Sequence, residues 1–252
     1  MAEENKSLQA AQAAGLVPVT DMRGQIEALF NPNRKGFEEK INPGELTLPR
    51  ARLLQSTSDE VKTNGKVFYS GLLINSITKE PLTENFIPVR RLANTWIRFN
   101  ARKQEDANFV QGVEPGAVVW RSDDPKDPRV IEQTKFGPNG EAPAAISYLN
   151  FLCYFEGFSI PCVLSFGKTS YQAGRNFLTM SFGAGGDMFS RKYRLVTKLV
   201  NNAKGSYYVL EATPAGKCTE DENAIGAALY SAFENVAVKV HEDEHPEPGS
   251  EG

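Results

Sequence analysis

The sequence predicts a mainly β fold of the α+β class: a small, partly open antiparallel β-barrel with a few helices. Several short segments alternate apolar and polar residues with the period of a β-strand, and turn-forming residues separate them. Only a few segments have the spacing of an amphipathic helix. A length of 252 residues is typical of one large domain with flanking segments.

Composition divides the chain into three regions. Residues 1–45 are predicted to be a flexible N-terminal segment with one short helix, which is capped by Thr20 or Asp21 and runs through residues 25–30. Residues 46–235 predict the folded domain. Residues 236–252 are rich in acidic residues, proline and glycine, so they predict a disordered acidic C-terminal tail.

The strands of the domain are predicted from alternation and from the turns between them. In the segment at 86–100, Val89, Thr95 and Ile97 belong to the predicted core face, while Trp96 and Arg98 share the polar face. The clearest hairpin has the turn sequence NNAKG. The predicted strands are Gly65–Ser76, Phe86–Asn100, Ala117–Trp120, Ala144–Gly157, Phe158–Phe166, Ser190–Val200 and Ser206–Thr213.

Two helices are predicted within the domain. Thr169 is the predicted cap of a helix that runs through Phe177. Thr219 and Glu222 have the spacing of a capping box, which opens a helix with an apolar stripe. The connection at 101–143 is long and polar, which is typical of a functional or a disordered segment.

Charge is distributed unevenly along the chain. Residues 46–218 contain 22 basic and 15 acidic side chains, a net charge of +7, whereas residues 219–252 contain one basic and nine acidic side chains, a net charge of −8. A basic body indicates a polyanionic partner, although an excess of this size also occurs without one. Charge alone favours neither interpretation.

Targeting signals are missing from the sequence. No apolar run reaches the roughly 20 residues of a membrane-spanning helix. The N-terminus is acidic and has no apolar core, unlike a signal peptide. The sequence therefore predicts a cytoplasmic protein without a membrane partner.

Catalytic groups are scarce. The two histidines, His241 and His245, lie in the predicted tail, so no Ser-His or Cys-His pair is expected inside the fold. The cysteines are predicted to be reduced thiols: Cys153, Cys162 and Cys218. We predict no enzymatic activity, no cofactor and no metal. The alternative is a metal-dependent nuclease, whose ligands would be Asp123, Asp124 and Asp127, although this cluster is more typical of a solvated turn.

Aromatic and basic residues recur together on several polar faces. This combination is typical of single-stranded nucleic acid binding, where cations contact the backbone and each stacked ring contributes about 1–3 kcal/mol per base. The alternative for each residue is an ordinary core aromatic or surface cation. The predicted nucleic-acid-binding residues are Arg90, Trp96, Arg98, Trp120, Arg121, Lys168, Tyr171, Arg175, Lys192, Arg194 and Lys198.

Three segments of the domain carry recognisable short motifs: LTLPRARLLQSTSDEVKTNGKVFYSGLLINSITKEPLTENFIPV, SFGKTSYQAGRNFLTM and YRLVTKLVNNAKGSYYVLEA. Within the first segment, the motif residues are Pro49, Arg50, Leu53, Leu54, Gln55, Asn75, Ser76, Thr78, Glu80 and Phe86 to Val89. Together the three segments cover most of residues 46–235, and they resemble a group of bacteriophage single-stranded DNA-binding proteins.

The resemblance implies a barrel of the OB type and DNA coating during phage replication or recombination, with single-stranded DNA as the partner and no enzymatic activity. Phage replication or recombination proteins are implied as partners of the acidic tail. This tail ends at Gly249–Gly252 and lacks the hydrophobic last residue that many such tails place in a partner's pocket. A virion or scaffold protein that binds protein instead of DNA is the alternative function.

Overall fold

The computed structural model covers the predicted domain and places it in the mainly β class. The described residues are 41–138, 140–202 and 205–241, together with Gly24, Lys35 and Gly36. The predicted helix at 25–30 and the tail beyond residue 241 lie outside them. Within the described part, the chain forms a seven-stranded antiparallel sheet, two small two-stranded sheets and four α-helices. No helix there combines the length and apolar character needed to cross a membrane.

Between the described elements, the longest connections come before β6 and before β7. The strands are β1 Thr47–Leu48, β2 Ala51–Leu53, β3 Leu73–Asn75, β4 Asn85–Arg91, β5 Thr95–Phe99, β6 Val118–Ser122, β7 Ala145–Phe155, β8 Cys162–Gly167, β9 Arg191–Asn202, β10 Gly205–Lys217 and β11 Lys239–Val240. The helices are α1 Asp59–Thr63, α2 Pro128–Gln133, α3 Tyr171–Gly183 and α4 Glu220–Phe233.

Strand β7 is the centre of the large sheet. One edge of β7 pairs with β5 and then with β4, so these two strands act as one long strand that bends at 92–94. The other edge of β7 pairs with β8. Beyond β4 lies the β9–β10 hairpin, and beyond β5 lies β6. Within the described residues β8 and β10 form no ladder, so the sheet is not a closed barrel.

In the described part, a long helix packs on each face of the sheet. On one face, here named the α3 face, the ring of Phe177 packs 4.8 Å from Phe151 and 4.9 Å from Tyr193, measured between centroids. Gly174 permits this approach, because a Cβ there would lie 2.5 Å from the Cβ of Phe166. On the opposite face, here named the α4 face, a stripe of α4 packs on β4, β7 and β8. This second core contains Ile87, Val89, Leu152, Tyr154, Val163, Ile225, Leu229 and Phe233.

The edge of β10 that faces away from β9 is covered by side chains. The Gln55 amide donates to the Tyr208 carbonyl (2.9 Å) and accepts from the Tyr208 N–H (2.8 Å). The Ser170 hydroxyl accepts from the N–H of Leu210 (3.0 Å). Because uncovered edges pair with other chains, these contacts protect the last strand of the sheet.

Several sequence predictions are confirmed. The predicted hairpin forms as β9 and β10, and in β9 Tyr193 and Leu195 are buried while Lys192 and Arg194 lie on the other side. The capping box also forms: the Thr219 hydroxyl accepts from the Glu222 N–H, and the Glu222 carboxylate accepts from the Thr219 N–H (2.7 Å).

Other predictions were wrong in part. Of the strand predicted at Gly65–Ser76, only β3 forms, because Gly71 adopts a φ of +91° and its backbone lies against the ring of Tyr208. The strand predicted at Phe86–Asn100 is two strands separated by the bend at 92–94. Helix α2, inside the long polar connection, was not predicted, although Asp127 and Pro128 are a typical helix start.

Candidate nucleic-acid interface

An open cleft lies on the α4 face, beside the helix. Its volume is about 830 Å³. The end of β4 and the strands β5 and β6 form one side, and the chain at 236–241, which follows α4, forms the other. The cleft thus lies where α4 leaves the bent end of the sheet uncovered.

The floor of the cleft is held by Asn150 of β7. Its side-chain amide donates to the Ala93 carbonyl (3.0 Å) and to the Thr95 hydroxyl (2.8 Å), and its carbonyl oxygen accepts from the Ser165 hydroxyl (2.8 Å). The backbone of Asn150 also accepts from the N–H of Leu92 (2.9 Å). These bonds fix the bend between β4 and β5, so the shape of the floor is rigid.

The charged groups of the cleft are mainly basic. Among the described residues, Arg90, Arg121 and Lys239 line it, together with the acidic Asp123. His241 lies at the end of the segment, with its Nδ1 3.1 Å from the Ser76 hydroxyl. A concave surface with this excess of positive charge attracts anions.

Arg121 and Arg90 differ in how they are held. Partial burial lowers the pKa of Arg121, the nearby positive charge of Arg50 lowers it further, and Asp123 opposes both effects. The guanidinium of Arg90 donates to the Phe233 carbonyl and to the Val236 carbonyl (3.5 Å). Arg90 therefore binds the C-terminal end of α4, where a positive charge is favourable.

Three predicted binding residues lie at the far end of the sheet, under α2. Trp96 packs in a small cluster with Trp120, which is 9% exposed. The indole N–H of Trp120 donates to Gln133 (3.1 Å), and the guanidinium of Arg129 lies 5.1 Å from its ring centroid. The prediction that Trp120 offers an open stacking surface was therefore wrong, because α2 covers the ring.

Arg98 lies in the same corner. Its guanidinium donates to Gln133 (3.2 Å) and to the carbonyl of Asn108 (3.2 Å), which ties β5 to α2 and to the long connection. Since Trp96 and Arg98 alternate on one strand, they do share a face, as predicted, but this face is packed and is not the face that lines the cleft.

The predicted cations of β9 lie on the α4 face of the hairpin, and each forms an ion pair. Lys192 Nζ lies 2.6 Å from Glu222 Oε1 of α4. Arg194 pairs with Glu84, and Lys198 Nζ lies 3.6 Å from Glu211. Arg194 and Lys198 have mostly exposed side chains, so these pairs contribute little to stability and leave both cations accessible.

The remaining predicted residues lie around the start of α3. Lys168 belongs to the 3₁₀ turn before the helix and has a φ of +48°. Tyr171 packs against the core of the α3 face, while Arg175 is exposed. None of these three residues lines the cleft, so the predicted set does not form one site.

Sequence reasoning missed several residues that the structure brings together. Lys239 and His241 were assigned to the tail, yet the chain at 236–241 packs along β1, with the His241 N–H donating to the Leu48 carbonyl (2.7 Å). The alternation of Val236, Val238 and Val240 could have indicated a short strand there.

The aspartates considered for a metal site have other contacts. Asp127 caps α2 and pairs with Arg129 (2.7 Å), and hydrogen bonds from Arg129 lower the pKa of Asp127 to about 2. In the part of the chain that the structure describes, no group of three or more His, Cys, Asp or Glu side chains is arranged to hold a metal ion.

Fold and cleft together define a mainly β protein with a surface suited to anions. The chain belongs to the family of Pam3 phage gp34-like proteins, which matches residues 25–245 and so includes the whole sheet and the cleft. Comparison with curated proteins and with solved structures finds no match.

Proposed function

We propose that this protein binds single-stranded DNA and coats and protects it, with little sequence preference, during phage DNA replication or recombination. The observation that carries the proposal is the basic cleft on the α4 face. Its arginine and lysine side chains suit a phosphate backbone, and its hydroxyl and amide groups suit contacts with sugar and base. The phage name of the family is consistent with this role.

The connections of the sheet support the further proposal of an open barrel of the OB type. The bent strand β4–β5 pairs with β7 and β9, β7 pairs with β8, and a helix separates β8 from the β9–β10 hairpin. An OB barrel has five strands connected in this order, and its oligonucleotide site lies on the second and third strands and the neighbouring loops. The corresponding strands here are β7 and β8, next to the cleft.

The proposal assigns backbone contacts first to Arg121 and Lys239, since both line the cleft. Arg194 and Lys198 are exposed on the same face of the sheet and extend the basic surface along the hairpin. Trp120 is not part of the proposed surface. Trp96 would contact DNA only if the corner under α2 opened.

Fluorescence anisotropy with a labelled oligo-dT tests the proposal. The oligonucleotide is longer than the roughly 4–16 nucleotides that one OB domain covers. A duplex of equal length is the control. We expect tighter binding to the single strand, and a logarithm of affinity that falls with the logarithm of salt by about 0.7 for each phosphate contacted. Equal affinity for duplex and single strand, or no dependence on salt, would refute the proposal.

Exposed aromatic side chains favour a second candidate, a virion or scaffold protein that binds protein. Phe182, Phe136 and Tyr69 are 87%, 72% and 61% exposed, which is unusual for large apolar side chains. Light scattering in the buffer used for DNA binding distinguishes the two candidates. Concentration-dependent assembly without DNA binding would favour the scaffold, whereas DNA binding by a species of constant mass would favour the first proposal.

A further inference from the structure

The outer half of the β9–β10 hairpin carries a tyrosine that is not part of a core. Tyr207 lies on β10 and is half-buried. In the described part of the chain, none of the three apolar clusters of the fold includes it. The register of the hairpin places Tyr207 directly opposite Val200. An aromatic ring and a β-branched side chain at opposed positions pack together, so the partial burial of Tyr207 requires no core around it.

Tyr207 lies on the α4 face of the hairpin. Every second residue of a strand shares a face, so Val200 is on the same face as Lys192, whose Nζ lies 2.6 Å from Glu222 in the first turn of α4. The next residue of β10, Tyr208, lies on the other face. Beyond Lys192, this face of the hairpin, here named the hairpin surface, contains Arg194, Val196, Lys198 and Val200 of β9 and Tyr207, Val209, Glu211 and Thr213 of β10.

The hairpin is strongly basic. Residues 191–217 contain six basic side chains and one acidic side chain, a net charge of +5. The side chains of Arg194 and Lys198 are 59% and 62% exposed. Their partners Glu84 and Glu211 are exposed as well, and exposed ion pairs are weak, so a phosphate can replace either carboxylate with little loss of free energy. The hairpin surface therefore suits a polyanion.

The ring of Tyr207 and the ammonium of Lys198 are neighbours on the hairpin surface. Lys198 lies two positions before Val200 on β9, which makes it a diagonal neighbour of Tyr207. Such neighbours are about 7–8 Å apart, within reach of a long side chain. The lysine can thus hold a phosphate while a base of the same strand lies on the ring. A tyrosine has only two side-chain torsions, so it loses little entropy when a base stacks on it.

We propose that Tyr207 is a stacking residue for one base of single-stranded DNA, and that Lys198 holds a neighbouring phosphate. The inference rests on the proposed function and extends the DNA-binding surface from the cleft to the hairpin. It gives the protein a ring for stacking in place of Trp120, which packs in a cluster with Val130 of α2. Stacking on one ring is tolerant of sequence, because every base has a π-face.

Fluorescence anisotropy with labelled oligo-dT tests the stacking contact. Tyr207→Val removes the ring but keeps a residue that favours strands. We expect this variant to bind at least about fivefold more weakly, the lower limit for one base stacked on an aromatic ring. Tyr207→Phe keeps the ring and is expected to bind like the wild type. The matched control is Tyr69→Val, which removes an exposed tyrosine between α1 and β3 and is expected to leave the affinity unchanged.

An abasic strand with the same number of phosphates separates stacking from other effects. It keeps the charges of the DNA but has no bases, so the wild type and Tyr207→Val are expected to bind it equally. Lys198→Gln is expected to reduce the salt slope by about 0.7 on both strands, the value for one phosphate contact. If Tyr207→Val weakens binding to both strands by the same factor, the ring only supports the hairpin and the inference is overturned.

Photocrosslinking tests the contact in the wild type, without a variant that has to fold. Oligo-dT with bromodeoxyuridine substitutions is irradiated with the protein, and the crosslinked peptides are identified by mass spectrometry. We expect a crosslink at Tyr207. Crosslinks at other segments only would overturn the inference.

The outcomes separate failure of the inference from failure of the proposed function. A wild type that binds oligo-dT with a salt-dependent affinity, together with a Tyr207→Val variant that binds as tightly, would overturn the stacking contact and leave DNA binding intact. A wild type that binds neither strand would refute the proposed function and the inference with it.

Discussion

Arg90 connects the sheet to the end of α4, and Arg90→Met is expected to weaken this connection. Methionine keeps an apolar stem of similar length but lacks the donors that reach the carbonyls of Phe233 and Val236. A hydrogen bond to a charged group contributes about 1.5–3 kcal/mol, and a positive charge at a helix C-terminus adds about 0.3–1 kcal/mol. Since the bond to Val236 is long, we expect a loss of about 2–3 kcal/mol.

Thermal unfolding followed by circular dichroism measures this loss. In a domain of this size, 1 kcal/mol corresponds to about 2–4 °C, so Tm is expected to fall by about 4–12 °C. Arg91→Met is the matched control, because Arg91 is exposed and neighbours Arg90 on the same strand; its effect is expected within about 0.5 kcal/mol. Equal Tm values for the two variants would refute the reasoning. A smaller salt slope of DNA binding with unchanged Tm would show instead that Arg90 is mainly a phosphate ligand.

Three further predictions concern stability and the tail. Trp120→Ala is expected to lower the free energy of unfolding by about 3–5 kcal/mol, because the Trp120 ring is buried under α2. Urea unfolding measures this loss, with Val118→Ala on the same strand as the control. Burial raises the pKa of Glu222, but hydrogen bonds, chiefly from Lys192, outweigh it and bring the pKa below its ordinary 4.5. The stabilisation by Glu222 is therefore present above pH 4.5 and is lost as the pH falls below that value. The urea midpoints of Glu222→Gln and the wild type are expected to differ at pH 7 and to converge in acid. A difference between the two midpoints that stays constant with pH would contradict this. Residues 242–252 contain five acidic and no basic side chains, so we expect them to compete with DNA for the basic surface. Deleting them is expected to tighten oligo-dT binding at low salt and to have less effect at high salt, where charges are screened. Unchanged affinity at low salt would contradict this competition.

Local patterns predicted those parts of the fold that depend on neighbouring residues. The hairpin β9–β10 follows from alternation around a glycine-containing turn, and the start of α4 follows from the spacing of Thr219 and Glu222. The mainly β class followed from the same alternation. Gly71 shows the limit of this reasoning: its positive φ and its contact with Tyr208, far away in sequence, break a segment whose pattern favours a strand.

The candidate site was less predictable because it depends on what covers each face. Alternation correctly places Trp96 and Arg98 on one face of β5, but it does not reveal that α2 packs on that face. The cleft instead combines Arg121 from the long polar connection with Lys239 from the chain after α4. The order of the strands in the sheet brings these two segments together, and the spacing of residues along the sequence does not reveal that order.

The contact between Gln55 and Tyr208 has a consequence for synthesis as well as for stability. The two residues are 153 positions apart in the chain, and β10 is one of the last elements to be made. Because chains emerge from the ribosome N-terminus first, Gln55 is already present when the edge of β10 forms. Replacing Gln55 with leucine would leave a strand with open N–H and C=O groups, a template on which newly made copies could pair with one another. We therefore expect Gln55→Leu to lower the fraction of newly made protein that stays soluble, a property that a melting temperature does not report.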